Sequence, residues 1–575
     1  MSSVYFELLA QWCDAMIRQQ VSGLGEDFDG GLLCPACKYE HGRCIDAVYP
    51  LLYLADRTGD AKYTHVAKKL FDWHVQAVLC DDGSAYNDPN NAWNGTTVFA
   101  ATAICEALDK HAASLDAETQ AKWRDVLSGM AEWLYHTIDE HFPTNINYVA
   151  TNAAALALCG TYLKREDYIS QARHLAAYVL DRITANGFLY GEGKPRESVT
   201  PRGCRPIDVG YNVEESIPSL VKYAACLRDE SAMRILEDVL RKQLDFLLPD
   251  GAWDNSFGSR NNKWTYYGSR TSDGCASAYA IMADRDPMFA EAALRNVRLL
   301  RQCSQGGLLR GGPQYALFGE KPCVHHTFTH ANAVAAALDA GIEQYDSGTS
   351  LPAETCGNVS RHFPEIDTWK IVRGDWHATV TCYDYDIRAG HASGGALTLL
   401  WHRRFGPVIA GSVIDYALVE PTNQQLSLRK RRHRTLTPRA ELVWEGVRYA
   451  QCYDTAASVV CRQQDDATIV EVHSNLVSLA QKQLPSPLHA ELEYRFEEGR
   501  VRISGRISGS QAAGARFVLP IVSRDIAVNT KAPFFTEDIF FLTGGFGATE
   551  YTILPNENGC FALELSPAGK PAVNR

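Results

Sequence analysis

The strongest constraint on this chain is a tandem series of amphipathic helical pairs, recurring about every fifty residues through its first three-fifths. Apolar residues return at helical spacing in 44–58 with 60–79, 92–110 with 116–140, 148–162 with 165–185, 212–228 with 230–248, and 272–284 with 286–304. A helix over 4–20 opens the series and one over 328–342 closes it. Each helix carries an apolar stripe that must be covered, and one pair is too thin to cover its own. Ten to twelve such helices close most economically into an (α/α) toroid, expected over residues 1–345. Long loops separate the pairs, at 22–43, 80–94, 186–211, 251–271 and 305–327, and they are rich in Trp, Tyr, Asn, Arg and His. Loops of that length inside a compact domain commonly carry function.

The pattern changes after Asp346-Ser347-Gly348-Thr349-Ser350-Leu351-Pro352, which reads as a linker spanning 346–365. Beyond it, 376–385, 441–449, 467–475 and 501–507 alternate apolar and polar residues and are rich in Val, Thr, Tyr and Ile, as half-buried antiparallel strands are. The expected fold is therefore multidomain, α then β: an N-terminal (α/α) toroid followed by a C-terminal antiparallel β-sandwich over 366–575. A chain of 575 residues with 46% hydrophobic and 22% charged residues has ample material for two large cores.

Charge narrows the partners. The formal net charge of −12 argues against nucleic acid, which selects a basic excess. The one dense basic run, Arg429 to Arg434, reads as a solvated loop or strand edge. No uninterrupted apolar stretch is long enough to span a bilayer, so no membrane partner is expected. The first residues lack a basic segment followed by an apolar one, and the 17 cysteines are odd in number and fall largely within apolar helical patterns. Both features lead to an expectation of a reducing, cytoplasmic location.

The loops repeatedly bring aromatic, amide and basic residues to helix starts: Trp93 and Asn94 before one helix, Asn145 to Asn152 opening another, Asp208 to Glu215 a third, and Trp253 to Gly274 a fourth. Flat aromatic faces with planar amide and guanidinium donors suit pyranose rings, which offer CH faces for stacking and hydroxyls for hydrogen bonds. Candidate sugar contacts are Trp93, Asn94, His41, Arg43, Arg260, Trp264, Arg270, His325, His326, His330 and Tyr385. The competing structural reading is that the aromatics pack the toroid and the Asn and Asp residues cap helices.

Two clusters have metal-ligand character. Cys34, Cys37, His41 and Cys44 form a Cys3His set at zinc-like spacing, although His41, Arg43 and Asp46 of the same loop could contact sugar instead. His326 and His330, four apart, share a helix face that could hold a metal or line a cleft. The expected chemistry requires no cofactor; a structural divalent metal is the one exception the sequence raises.

The segment Tyr383-Asp384-Tyr385-Asp386-Ile387-Arg388-Ala389-Gly390-His391-Ala392-Ser393-Gly394-Gly395, followed by Phe405-Gly406-Pro407-Val408-Ile409-Ala410-Gly411-Ser412, resembles the Gly-His element of the heparinase II/III-like polysaccharide lyases. That resemblance implies a toroid followed by a β-sandwich. It also implies a helix-borne Asn that neutralises a uronate carboxylate, a Tyr acting as acid or base, and an assisting β-domain His. By resemblance Asn152, in TNAAALALCG, takes the Asn role and His391 the His role. The family's E-x-x-x-Y segment looks most like Glu215-Ser216-Ile217-Pro218-Ser219, which ends in Ser, so the phenol must come from Tyr211, Tyr266 or Tyr267. Some members hold a metal just after the Gly-His element; Ala392-Ser393-Gly394-Gly395 supplies no acidic ligand for one.

The expected activity is β-elimination on 4-linked uronic-acid glycans, giving unsaturated products. Removing the C5 proton requires the adjacent carboxylate to be neutralised, here by Asn152 with Arg260 or Arg270 and His391. A phenol serves as base only if nearby cations lower its pKa from about 10, and Lys263 and Arg270 flank Tyr266 and Tyr267 in sequence. The alternative is a toroid glycoside hydrolase using two of Asp46, Asp88, Asp208, Glu214, Glu215, Asp254 and Asp273. A third reading is a glycan-binding protein without turnover.

Overall fold

A computed structural model describes residues 3–88, 91–319, 321–385, 391–411, 436–510, 512–541 and 546–568. Among these, twelve α-helices of six residues or more build the first part of the chain. They are α1 (Val4–Ile17), α2 (Val48–Thr58), α3 (Ala61–Ala77), α4 (Thr97–His111), α5 (Ala117–Thr137), α6 (Ile146–Leu163), α7 (Glu166–Leu180), α8 (Ile217–Leu227), α9 (Glu230–Gln243), α10 (Ala276–Ile281), α11 (Pro287–Gln302) and α12 (Val324–Asp339).

Contacts run α2 to α4, α6, α8, α10, α12 and back to α2, so the even-numbered helices form a closed inner ring. The odd-numbered helices pack outside them, and α1 lies against α12 to complete the sixth pair. Composition follows position. Inner helix α6 buries thirteen of its eighteen residues, five of them alanines, whereas outer helix α9 buries only six of fourteen along one stripe. Small side chains let inner helices approach neighbours on every side. Several outer helices begin with a side-chain cap right after a tight turn: Asp60, Asp116, Asp229 and Asp286 accept from Lys62, Thr119, Ala232 and Met288 amides at 3.0, 2.8, 3.1 and 3.0 Å. The toroid expected from the helical pairs is thus present.

The second part is antiparallel throughout. A meander of β3 (Val359–Phe363), β4 (Thr368–Arg373), β5 (Trp376–Thr381), β6 (Ala396–His402) and β7 (Gly406–Ala410) forms one sheet, while a short hairpin of β1 (Trp264–Thr265) and β2 (Gly268–Ser269) lies earlier, in a toroid loop. Two further sheets follow from β8 (Arg439–Trp444), β9 (Val447–Ala450), β10 (Ser458–Gln463), β11 (Thr468–Asn475), β12 (His489–Glu497), β13 (Arg500–Ser508), β14 (Arg516–Ile521), β15 (Ile526–Thr530), β16 (Phe534–Phe541), β17 (Phe546–Ile553) and β18 (Cys560–Pro567). Their orders are β16-β17-β14-β8-β9 and β10-β11-β12-β13-β18-β15. All three sheets contribute to one core, with Trp376, Ala440, Phe517, Tyr494 and Ile503 among its members. The expected linker is shorter than 346–365, because β3 begins at Val359. The basic run 429–434 and residues 386–390 of the Gly-His element lie outside the described residues.

One face of the toroid docks on the first sheet. Asp254 receives Lys370 Nζ at 2.8 Å and also the Thr379 hydroxyl, Ser256 meets Thr398 at 2.9 Å, and Phe188, Phe246 and Phe363 form an aromatic cluster with centroids 5.0 to 5.7 Å apart. This docking fixes loops 186–211 and 251–271 against the sheet, where the polar-aromatic segments meet.

Candidate active site

Tyr211 sits in a turn built around one buried carboxylate. Asp208 Oδ1 accepts the Tyr211 amide at 3.0 Å and the Asn255 side chain at 3.1 Å, and Asp208 Oδ2 accepts the Arg260 amide at 3.0 Å. Three loop segments are thereby locked together. The chain then makes a π turn over Asn212–Ser216 before α8, where Pro218 cannot donate into a regular ladder. The result presents the Tyr211 phenol to three groups. Lys263 Nζ donates to its oxygen at 3.2 Å, the Thr271 hydroxyl lies 2.8 Å away, and the Arg260 guanidinium carbon stands 3.7 Å over its ring. Two cations thus stand beside this phenol.

Next to this turn is a band of buried acids and amides. Asn147, in the first turn of α6, donates its backbone N–H to Glu192 at 3.1 Å and its side chain to Glu215. Glu192 in turn pairs with Arg260 at 3.2 Å. Burial pushes the Glu192 carboxyl up to about 7 and that of Glu215 up to about 8, the latter aided by the charge of Asp273. Burial thus favours the protonated form of Glu215, which can donate a hydrogen bond to an anion. Arg43 binds Asp46 at 2.6 Å and Asp273 at 2.8 Å, with its guanidinium 3.6 Å over Phe99. Arg270 differs from these cations: it is 2% exposed, its Nη1 has no hydrogen-bond partner, and no carboxylate among the described residues pairs with it. A buried guanidinium without a counter-charge is costly unless an anion arrives.

The rim carries the aromatic surface. Trp93 is half-buried, donates Nε1 to the Tyr148 hydroxyl at 2.8 Å and tilts against Phe142, while Asn94 beside it is also half-buried at the start of α4. A cavity of about 30 Å³ lined by Glu215, Asp273 and Asn332 lies below, large enough for a water but not a sugar ring.

The β region reaches this wall through Tyr383, Tyr385 and His391. Tyr383 donates to the Arg205 carbonyl at 2.9 Å and accepts the Ile207 amide at 3.2 Å, immediately before Asp208. His391 stacks on Tyr383 with centroids 6.4 Å apart, and its Nδ1 lies 3.2 Å from the Tyr385 carbonyl, which requires the proton on Nδ1 and leaves Nε2 as the basic nitrogen. Tyr385 runs beside Gly193, where a Cβ would come within 1.9 Å of the phenol oxygen, so glycine is required next to Glu192.

Several expected site residues are occupied elsewhere. Asn152 is fully buried and donates to the Ile138 carbonyl at 2.6 Å and the Leu134 carbonyl at 3.4 Å, closing the end of α5. It stands five residues from Asn147, about 140° away around the helix, so only one of the two can join the acid band. Tyr266 donates to Asp250 at 2.8 Å and accepts from Trp401 at 2.9 Å, and Trp264 donates to the Trp253 carbonyl; both hold the toroid to the sheet or to itself. Tyr267 is buried against His326, 3.3 Å from its Nδ1, and His330, whose Nε2 lies 3.5 Å from Glu214. Burial pushes both phenols, Tyr266 and Tyr267, well up, and nearby carboxylates add to the effect. His41 and His325 are buried against each other, ring centroids 5.2 Å apart. His41 gathers with Cys34, Cys37 and Cys323; Cys44 is instead turned to the Leu32 carbonyl at 3.6 Å. Sequence reasoning passed over Glu192 and the amide of Asn147.

Comparison with known proteins settles the family. The Ulvan lyase N-terminal domain profile matches residues 9–354, and the Ulvan lyase C-terminal domain profile matches residues 360–532. This chain belongs to the ulvan lyase family. It is 38% identical over 534 residues to the broad-specificity ulvan lyase of Formosa agariphila, covering 90% of this chain and 82% of that protein. Its fold is shared with the chondroitin AC lyase of Streptomyces coelicolor A3, at a TM-score of 0.53 and 12% identity over 99% of this chain and 79% of the other. This chain is a polysaccharide lyase of toroid-plus-sheet build. Uronic-acid glycans are its substrate class, as the sequence led one to expect, and the hydrolase reading falls away.

Proposed function

We propose that this lyase cleaves ulvan by β-elimination beside a uronic acid residue, with Tyr211 as the proton-transferring phenol. One observation carries the assignment: of the three candidate tyrosines, Tyr211 alone is held among cations, between Lys263 and Thr271 and under Arg260. The identity with a broad-specificity ulvan lyase supports the choice of polymer.

The uronate carboxylate is received by Arg270, which has no counter-charge among the described residues, and by the protonated Glu215 positioned by Asn147. Neutralising that carboxylate acidifies C5 and stabilises the enolate-like charge that develops on it. Tyr211, as phenolate, takes the C5 proton. The C5–H electrons form the C4=C5 double bond as the C4–O4 bond breaks, and O4 leaves with a proton returned by the Tyr211 phenol. No water is consumed. Trp93 and Asn94 offer a stacking face and an amide for a neighbouring ring.

The test is incubation of the full chain with ulvan, alongside a panel of other uronans, followed by the ultraviolet absorbance of the unsaturated product. Rising absorbance on ulvan that disappears in Tyr211→Phe supports the proposal. Product that is saturated, or a fully active Tyr211→Phe, overturns it.

A further inference from the structure

We infer that Cys34, Cys37, His41 and Cys323 bind one structural zinc ion that fastens the loop after α1 to the start of α12 and so locks the closure of the toroid. The four ligand atoms lie within 4.8 Å of one another and all four residues are buried. The Cys34 and Cys323 sulfurs are 3.6 Å apart. Zinc–sulfur bonds of about 2.3 Å place the sulfurs of a tetrahedron about 3.8 Å apart, so the set needs only small adjustment to close on the ion. The same spacing is far beyond a disulfide, and none of the three cysteines is in one.

The local backbone is built for thiolates. Residues 33–40 form a tight knuckle: Leu33 pairs with Glu40, the Cys34 amide donates to the Tyr39 carbonyl at 3.1 Å, and Lys38 takes a positive φ of 69°. Inside that knuckle the Cys37 amide donates to the Cys34 sulfur at 3.4 Å. Cys323 is the N-cap of α12, and its sulfur accepts the His325 amide at 3.2 Å, where the helix terminus favours negative charge. His41 is 1% exposed, and neither of its ring nitrogens finds a hydrogen-bonding oxygen. Such a buried imidazole beside three sulfurs has the chemistry of a metal ligand.

Three ligands come from one loop and the fourth from a residue nearly three hundred positions later, so the ion would act as a cross-link between the two ends of the ring. Four protein ligands complete a tetrahedron, which is the structural rather than the catalytic class of zinc site. His41 is also the N-cap of the 3-10 turn Gly42–Ala47 that carries Arg43 to Asp273, so the cross-link fixes one side of the cleft without touching substrate.

The test uses the full chain purified under reducing conditions without chelator. Elemental analysis is expected to give one zinc per chain. Cys37→Ser and Cys323→Ser are expected to lose it, and Cys44→Ser to keep it. Cobalt(II) exchanged into the wild type is expected to show the intense visible bands and sulfur-to-metal charge transfer of a tetrahedral S3N site, a readout independent of activity and of whether the serine variants fold. A zinc content near zero with all four side chains unmodified overturns the inference. So do a disulfide mapped between Cys34 and Cys323, or cobalt spectra without sulfur ligation.

Discussion

The cleft wall and the frame that supports it use the same residue types in opposite ways. In the frame, Tyr266 is spent on Asp250 and Trp401, Arg295 on Glu291 and Glu354, and Glu106 on Lys222 and Lys110. In the wall, Tyr211 faces cations, Arg270 has no counter-charge among the described residues, and Glu215 is buried with an amide for its nearest partner. Frame groups are matched to the protein, so their charges are settled before substrate arrives. Wall groups are mismatched, and under the proposed mechanism a carboxylate-bearing sugar completes them. The difference is electrostatic and cannot be read from residue type or burial alone, since both regions are deeply buried.

The sharpest break of this contrast exchanges the two tyrosines. Tyr211→Phe is expected to lower kcat by about 10²–10⁴-fold, the usual contribution of a positioned acid–base, while leaving the thermal midpoint little changed. Arg270→Gln comes next: loss of about 10²–10³-fold in kcat/KM is expected, as for removal of a donor at developing charge. Removing a buried uncompensated cation should at the same time hold or raise stability in the absence of substrate. Arg295→Gln is the counterpart in the frame, expected to lower stability and leave steady-state kinetics unchanged. Equal activity losses for Arg270→Gln and Arg295→Gln would erase the distinction between wall and frame.

Tyr266→Phe probes the frame itself. It strips a hydrogen bond from the largely buried Asp250 and leaves the Trp401 indole N–H with only its longer, 3.3 Å bond to Asp250, so a stability loss of about 1–3 kcal/mol by denaturant titration is expected. Activity per folded molecule should remain. A large fall in kcat with stability intact would instead return Tyr266 to the candidates for the catalytic phenol.

Much of the frame was legible in the sequence because it is periodic. The helical pairs and the strands over 376–381, 468–475 and 500–508 follow from apolar spacing, since one face of each must be covered. β3 was hidden in the expected linker because its half-exposed residues, Val359 to Phe363, lack a clean alternation. The wall was legible only as a list of loops. Asn147 and Asn152 both stood in view, but α6 is buried nearly all round and has no polar face to set its phase, so sequence offered no way to choose between them. Glu192, between two glycines, gave no periodic signal. Cys323 was separated from its cluster by most of the toroid, and Cys44 stood nearer in sequence. What decides these positions is closure of the ring, a long-range property that local patterns do not encode.

Two carboxylates lining the same small cavity give the subtlest test. Glu106 and Glu215 both border it, yet the lysines beside Glu106 hold its carboxyl down to about 2 despite burial, whereas burial pushes Glu215 up to about 8. An unfolded glutamate titrates at about 4.3. For Glu215 the folded chain therefore binds the proton more tightly, so its contribution to stability is fully present below about pH 4 and is lost as pH rises toward 8. Glu106 has the reverse sign: its contribution is present above about pH 4.3 and is lost as pH falls toward 2. Glu215→Gln keeps the oxygen that accepts from Asn147 and removes the ionisation. Its thermal midpoint should match the wild type at pH 5 and exceed it at pH 8.5, while Glu106→Gln should fall below the wild type across that whole range, because Lys222 loses its counter-charge. Parallel pH profiles for the wild type and Glu215→Gln would mean that Glu215 is already ionised at neutral pH, and the carboxylate-binding role of its proton would be lost with that result.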